Sequence, residues 1–227
     1  MSTGRFSRAR PPRRKRCRAI TLTELLVTIG VIAVLMTLLV PAVAYGRSLA
    51  RDASCKSQLS RLWIATTYYT NSYNGYLFVN RKPPLRISNV IYKKRRPTGW
   101  GALYPIHLKN YHILFCPNDP GRGPAWEYGW SNWGSHNAEV QCSYGYRGRQ
   151  GIVDDADEPL RLGLIERSPR KVIGCDFYEP FFGPPRVHHR GHINILRCSG
   201  QVEQVDRIVS FGPTEQDFQA ALDVLDQ

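Results

Sequence analysis

An uninterrupted apolar run near the start of the chain sets the strongest limit on how it folds. From Leu25 to Ala44 there are twenty residues without a charged side chain. As a helix they would span about 30 Å, the thickness of the hydrocarbon core of a bilayer. Their hydroxyl side chains are limited to Thr28 and Thr37, so the run lacks the polar stripe of a buried amphipathic helix. It therefore predicts a membrane-spanning helix.

The positive charge of the chain is concentrated ahead of this run. The formal net charge is +13, and residues 1–19 hold eight Lys/Arg and no Asp/Glu. The remainder is only mildly basic, with 23 basic and 18 acidic side chains. Because a nucleic-acid-binding protein would carry its basic residues on a folded face, no nucleic-acid partner is expected. Lys/Arg that flank a membrane segment instead keep that end in the cytoplasm.

Three interpretations of the apolar run are open on these residues. It is a plain signal anchor, or it is a secretory signal peptide whose A-x-A sequence at 42–44 would release a chain that begins at Tyr45. The third interpretation starts from Glu24. A carboxylate at the edge of an apolar helix is costly unless it is paired, so Glu24 is a candidate functional group.

The residues around Glu24 resemble the prepilin processing site. The segment RAITLTE at 18–24 places a small residue before a hydrophobic one, with Glu at the fifth position after the junction. The resemblance implies that prepilin peptidase cleaves after Ala19 and methylates the amine of Ile20, although the family usually has Gly and Phe at these positions. Cleavage creates a cation one helical turn from Glu24. The family pairs the two charges between subunits and so sets the filament register.

Helical patterning continues beyond the membrane run. The residues expected to share one face at three- and four-residue spacing are Ala53, Leu59, Leu62, Trp63, Thr66 and Tyr69. A turn signal at 71–75 ends the pattern, so one helix over residues 20–71 is predicted. The segment CKSQL at 55–59, with the later Tyr68-Tyr69 and Asn74-Gly75, resembles the C-x-x-N-L…Y…N-G pattern of bacterial pilin-like proteins of the type II secretion protein G-like kind. Gln58 replaces the usual Asn.

Beyond residue 75 the sequence favours β-structure. Strands are predicted near 86–92, 113–116, 171–177, 193–197 and 202–205, with long ordered loops over 117–157 and a closing helix at 215–226. The fold class is α+β, with a long N-terminal helix, half of it transmembrane, packed on a small antiparallel β-sheet domain. The predicted organisation is a basic prepilin leader (1–19), a transmembrane half-helix (20–45), an amphipathic outer half (46–75) and a periplasmic or extracellular β-rich domain (76–227).

The C-terminal part resembles the same pilin-like family through a second motif. His188, Gly191, Asn194 and Gly200 match the His, Gly, Asn and final Gly of its H-x-x-G-x-x-N…D-G motif. Ser199 stands where the family has Asp. Because a Ser side chain also forms local turns, the hairpin at this point is expected to persist.

The histidine, cysteine and acidic residues bear on metal binding and disulfide formation, and their spacing matches no known metal-binding motif. His188, His189, His192 and Cys198 carry ligand atoms, but neighbours on a strand face opposite sides and the spacing matches no zinc motif, so no metal site is predicted. The acidic group at 154–158 leaves calcium as the one cofactor alternative. In an oxidising periplasm, with Cys55 free, the predicted disulfides are Cys116–Cys142 and Cys175–Cys198.

These features predict a structural subunit of a type IV pilus-like filament or of a type II secretion pseudopilus. It would sit in the bacterial inner membrane as a single-pass protein with a cytoplasmic N-terminus. Its partners would be prepilin peptidase, other pilin or pseudopilin subunits and membrane lipid. No hydrolase, P-loop or dinucleotide motif is present, so no enzyme activity is expected. The alternative is an anchored periplasmic ligand- or glycan-binding protein that does not polymerise and stacks sugars on Trp126, Trp130 and Trp133.

Overall fold

The computed structural model describes residues 21–78, 87–119, 133–134, 139–147, 161–163, 167–178, 186–187, 189, 191–206 and 226. Several predictions lie outside these residues: the cleavage site at Ala19 and Ile20, the acidic group at 154–158, the helix over 215–225, and the side chains of His188, Trp126 and Trp130. The chain divides into two compact units, residues 1–46 and 47–227.

A single helix, α1 (Leu22–Ser72), begins in the first unit and ends in the second. It continues through Pro41. The large apolar side chains from Leu22 to Val43 are all exposed, and the helix is long and apolar enough to cross a membrane. It ends where Asn74 and Gly75 adopt positive φ angles of 52° and 82° and the amide of Gly75 donates to the carbonyl of Thr70. The predicted helix over 20–71 is thus confirmed from Leu22 onward.

The second unit is built on an antiparallel sheet. Its strands are β1 (Ile87–Lys93), β2 (Arg96–Pro97), β3 (Glu139–Arg147), β4 (Val172–Cys175), β5 (Phe177–Tyr178), β6 (Arg186–Val187), β7 (Ile193–Arg197) and β8 (Val202–Val205). Six strands pair in the order β2-β1-β3-β4-β7-β8, and β5 pairs with β6. The long helix with this sheet confirms the α+β class.

The outer half of α1 is buried along one stripe. The buried residues of this half are Cys55, Leu59, Leu62, Ala65, Thr66 and Thr70. They recur every three or four residues, as expected for a helix that packs by one face. The predicted face was right at Leu59, Leu62 and Thr66. It was wrong at Ala53, which is exposed because the buried stripe begins at Cys55.

Three sequence predictions differ from the structure. The stretch 113–116 is not a strand, because residues Tyr111–Leu114 form a 3-10 turn in which the Asn110 side chain accepts from the His112 amide at 3.0 Å. Residues 139–147, predicted as loop, form the central strand β3. Most of its residues are buried whichever way they point, so the strand lacks the alternation that marks a half-exposed strand. The single strand predicted over 171–177 is interrupted at Asp176 between β4 and β5.

The last two strands form the hairpin expected from the C-terminal motif. β7 and β8 have the predicted bounds, and the turn between them contains Ser199 and Gly200. Ser199 Oγ accepts from the Gln201 amide at 3.4 Å, and Gly200 has a φ of 83°. The hairpin therefore persists with Ser in place of the family's Asp.

Candidate functional site

The start of α1 is closed by a reciprocal cap between Thr21 and Glu24. The backbone amide and the hydroxyl of Thr21 each donate to Glu24 Oε2 at 2.9 Å. The Glu24 amide donates to Thr21 Oγ1 at 3.3 Å. Thr at the cap and Glu three residues later form a capping box, which satisfies amide groups that a helix start leaves unpaired. The residue predicted to act in filament assembly therefore also has a local role. This role was not predicted, although the T-x-x-E spacing at 21–24 is a capping-box signal.

A second group of polar side chains lies within the second unit, where the outer half of α1 meets the sheet. We call it the buried polar cluster. Its members are Asp52, Cys55, Cys116, Asp176, His189, His192 and Asn194. They come from α1, from the segment after the 3-10 turn, from the β4–β5 junction and from the chain entering β7. Four separate segments thus contribute to one site.

His189 is at the centre of this cluster. Its Nε2 lies 3.0 Å from Asp176 Oδ2 and 3.4 Å from Cys116 Sγ. Its Nδ1 lies 3.1 Å from Asp52 Oδ1 and 2.9 Å from the Asn118 carboxamide. The side chain is 1% exposed. Both ring nitrogens are therefore engaged inside the protein, each with a carboxylate.

Asn194 connects the two carboxylates of the cluster. Its backbone amide donates to Asp176 Oδ1 at 2.8 Å. Its side-chain nitrogen donates to Asp176 Oδ2 at 2.7 Å and to Asp52 Oδ1 at 3.0 Å. Asp176 is fully buried, and a buried charge of this kind needs partners of matching polarity. The motif residue Asn194 thus positions Asp176.

Asp52 forms the solvent-facing side of the cluster. Its Oδ1 also lies 3.0 Å from His192 Nε2, and its Oδ2 lies 3.2 Å from the Lys56 ammonium. The rings of His189 and His192 are stacked with centroids 5.0 Å apart. The cluster is therefore closed towards solvent by an ion pair and a second imidazole.

Electrostatics within the cluster follow from these contacts. Burial acts to lower the pKa of His189, but its contacts with Asp176 and Cys116 outweigh this effect and raise the pKa to about 10. Burial acts to raise the pKa of Asp52, but hydrogen bonds from Asn194, His192 and Lys56 lower it to about 2. Burial raises the pKa of the Cys55 thiol.

Five cysteines of the described residues are buried thiols that form no disulfide: Cys55, Cys116, Cys142, Cys175 and Cys198. The predicted pairs Cys116–Cys142 and Cys175–Cys198 are not formed, and the disulfide prediction is not confirmed. Cys142 Sγ instead donates to the Tyr144 carbonyl at 3.2 Å. Cys116 is near Cys55, the thiol predicted to remain free, and their sulfur atoms and His189 lie within 4.8 Å of one another.

The C-terminal motif residues have separate places in the structure. Asn194 belongs to the buried polar cluster, Gly200 to the β7–β8 turn, and Gly191 adopts a φ of 86° just before β7. The histidine in the cluster is His189, whereas His188 lies outside the described residues. Trp133, suggested as a sugar-stacking residue, packs against Tyr92 with ring centroids 4.8 Å apart.

Comparison with known proteins identifies the N-terminal segment. Residues 14–40 match the Prokaryotic N-terminal methylation motif. This match spans the last four basic residues before the apolar run, the predicted cleavage site, Glu24 and most of the exposed apolar part of α1. No curated protein and no solved structure matches the chain significantly. An apolar helix that carries this motif is the arrangement of a single-pass, membrane-anchored protein. The motif and the long apolar helix that follows it fit a type IV pilin-like protein with a prepilin-type N-terminus.

Proposed function

We propose that the chain is a structural subunit of a pilus-like or type II secretion pseudopilus filament, with its C-terminal domain outside the cytoplasm. The observation that carries the proposal is the methylation motif leading directly into an apolar helix with Glu24 in its first turn. In this reading prepilin peptidase cleaves after Ala19, and the apolar helix packs against the same helix of other subunits. The protein acts by assembly rather than by catalysis.

The exposed apolar surface of α1 supports assembly as well as anchoring. All the large apolar side chains between residues 22 and 43 are exposed in the part of the chain that the structure describes. Lipid covers this surface in a single subunit, and neighbouring helices would cover it in a filament. A carboxylate on such a helix is stabilised by a matching cation. The new amine of Ile20 in an adjacent subunit would supply that cation.

The first test is the intact mass and N-terminal sequence of the protein from the membrane fraction. We expect a chain that starts at N-methylated Ile20. A start at Tyr45 would indicate an exported soluble protein. A start at Met1 or Ser2 would indicate a plain anchor. Either of these results would contradict processing by prepilin peptidase.

The second test separates the charge of Glu24 from its capping role. Glu24→Gln retains a capping-box side chain but removes the charge, whereas Glu24→Ala removes both. We expect both variants to lose filaments from the sheared-cell fraction. Thr21→Val weakens the cap and keeps the carboxylate, so it should still assemble. Assembly by the Gln variant but not by the Ala variant would mean that Glu24 acts only as a cap. Normal membrane insertion with no filament in the wild type would favour the non-polymerising binding protein.

A further inference from the structure

The buried polar cluster contains the donor atoms of a transition-metal site. Cys55 Sγ, Cys116 Sγ and a ring nitrogen of His189 lie within 4.8 Å of one another, and Cys116 Sγ is 3.4 Å from His189 Nε2. Asp176 Oδ2 adds a fourth donor, 3.5 Å from Cys55 Sγ and 3.0 Å from His189 Nε2. Each of the four residues is at most 5% exposed, with Cys55 and Asp176 at 0%. Four donors from four separate segments thus converge in the interior.

Two of the contacts between these atoms have the spacing of ligands around a small tetrahedral ion, and the 3.0 Å contact between His189 Nε2 and Asp176 Oδ2 has hydrogen-bond length. With zinc bonds of about 2.3 Å to sulfur and about 2.0–2.2 Å to nitrogen and oxygen, neighbouring ligand atoms are about 3.3–3.8 Å apart. The contact between Cys116 Sγ and His189 Nε2 is 3.4 Å, and that between Cys55 Sγ and Asp176 Oδ2 is 3.5 Å. Two thiolates and an imidazole favour zinc over calcium or magnesium, which prefer oxygen ligands.

The surrounding residues supply the orientation that metal ligands need. A ligating histidine ordinarily donates its second ring nitrogen to a carboxylate, which fixes the tautomer and the ring direction. Asp52 Oδ1 is placed for this, 3.1 Å from His189 Nδ1. Asn194 holds Asp176 through its backbone amide and its side chain. The ligand set therefore has supporting contacts on both the imidazole and the carboxylate.

We propose that Cys55, Cys116, Asp176 and His189 bind one zinc ion that links α1 to the β-rich part of the second unit. Binding releases the protons of the two thiols and of His189 Nε2. In the metal-free alternative, a protonated His189 is held between Asp52 and Asp176, and the ion takes the place of its Nε2 proton. The site is closed, as in structural zinc proteins, with four protein ligands. This proposal replaces the sequence-based expectation of no metal, and it does not depend on filament assembly.

The test uses the full chain purified in detergent under reducing conditions. We expect about one zinc per chain by elemental analysis. Stripping with a chelator should lower the thermal midpoint of the second unit by about 10 °C, and added zinc should restore it. Cobalt added to the stripped chain should give thiolate-to-metal charge-transfer bands. The cobalt measurement needs no variant, so it stays decisive even if substitutions impair folding.

Matched cysteine variants locate the site. Cys55→Ser and Cys116→Ser should each lose the zinc and the cobalt bands. Cys142→Ser replaces an equally buried thiol outside the cluster and should keep both. Absence of zinc and of cobalt bands in the reduced wild type would overturn the proposal. So would a native chain lighter by two hydrogens with a Cys55–Cys116 disulfide, or zinc content unchanged in both ligand variants.

Discussion

Gly200, in the β7–β8 turn, is restricted both in its backbone conformation and in the space left for a side chain. Its φ of 83° is rarely adopted by residues with a side chain, and a Cβ there would lie 2.2 Å from Trp63 Nε1 on α1. Alanine would therefore strain the backbone and also displace the Trp63 ring. We expect Gly200→Ala to lower the free energy of unfolding by about 2–4 kcal/mol. Chemical denaturation of the detergent-solubilised chain measures this loss.

Gly75 provides the control for this substitution. Its φ is 82°, almost the same as that of Gly200, but apart from its chain neighbours no atom of the described residues lies within 4 Å of its Cβ position. Gly75→Ala should therefore show only the backbone cost, about 1–2 kcal/mol. Equal losses in the two variants would mean that the contact between Trp63 and the hairpin contributes nothing.

Arg147 is a charged residue in the interior of the second unit. Its side chain is 1% exposed, and Nη1 lies 2.9 and 2.8 Å from the two carboxylate oxygens of Asp226. Asp226 also accepts from the Val172 amide at 2.9 Å. Because Asp226→Ala leaves the buried guanidinium without this carboxylate, we expect a loss of about 3–5 kcal/mol of unfolding free energy.

The other end of β3 offers a comparison for this ion pair. Glu139 accepts from Lys93 at 2.9 Å, but both side chains are about one-third exposed, at 30% and 33%. Water screens such a pair, so Glu139→Ala should cost no more than about 1 kcal/mol. The same denaturation curves measure both variants. If Asp226→Ala were as mild as Glu139→Ala, the segment carrying Asp226 would not hold Arg147 in solution.

At the scale of elements, the outer half of α1 is held to the sheet by its buried stripe. Leu62 is fully buried, whereas Ile64, two residues along the same helix, is 51% exposed. Leu62→Ala removes core contacts and should cost about 2–5 kcal/mol. Ile64→Ala removes a side chain of the same size from the surface and should cost less than about 1 kcal/mol. Thermal denaturation followed by near-ultraviolet circular dichroism compares them, and similar midpoints would contradict the packing of this face.

The elements differ in how well the sequence predicts them. The apolar run and the helical pattern that follows it predict α1, because helical periodicity is local and extends over many turns. β7 and β8 could also be predicted, because they form a short hairpin around a turn signal in the sequence. β3 was missed because both of its faces are buried and its Ser, Gly and Tyr residues resemble a loop. The buried polar cluster could not be predicted, because Asp52, Cys116, Asp176 and His189 meet only after the sheet has formed.

At the scale of the whole molecule, the two units carry different functions in our proposals. The first presents an apolar helix with a processing motif, which serves insertion and assembly. The second is a sheet that packs on the outer half of α1, where the proposed zinc would add a cross-link. Loss of zinc should then destabilise the second unit and leave cleavage after Ala19 unchanged, since the processing motif lies outside that unit.

The orientation of the chain in the membrane concerns both units. The distribution of Lys and Arg on the two sides of the apolar run predicts it. Residues 1–19 hold eight Lys/Arg, whereas residues 45–64 on the other side of the apolar run hold four. The side with more Lys/Arg stays in the cytoplasm, so alkaline phosphatase fused after Gln227 should be active. Replacing the four consecutive basic residues at 13–16 by Glu leaves four on each side, and activity should fall while a cytoplasmic fluorescent fusion gains signal.

Exchanging Lys and Arg within residues 13–16 keeps the charge and serves as the control for that experiment. This variant should retain wild-type phosphatase activity, because charge rather than residue identity sets the bias. Immunoblots of both fusions show whether the amounts of protein are equal. Full activity in the Glu variant would mean that the apolar helix alone sets the orientation. Loss of activity in the charge-conserving variant would instead point to a specific contact of these residues, such as one made with the peptidase.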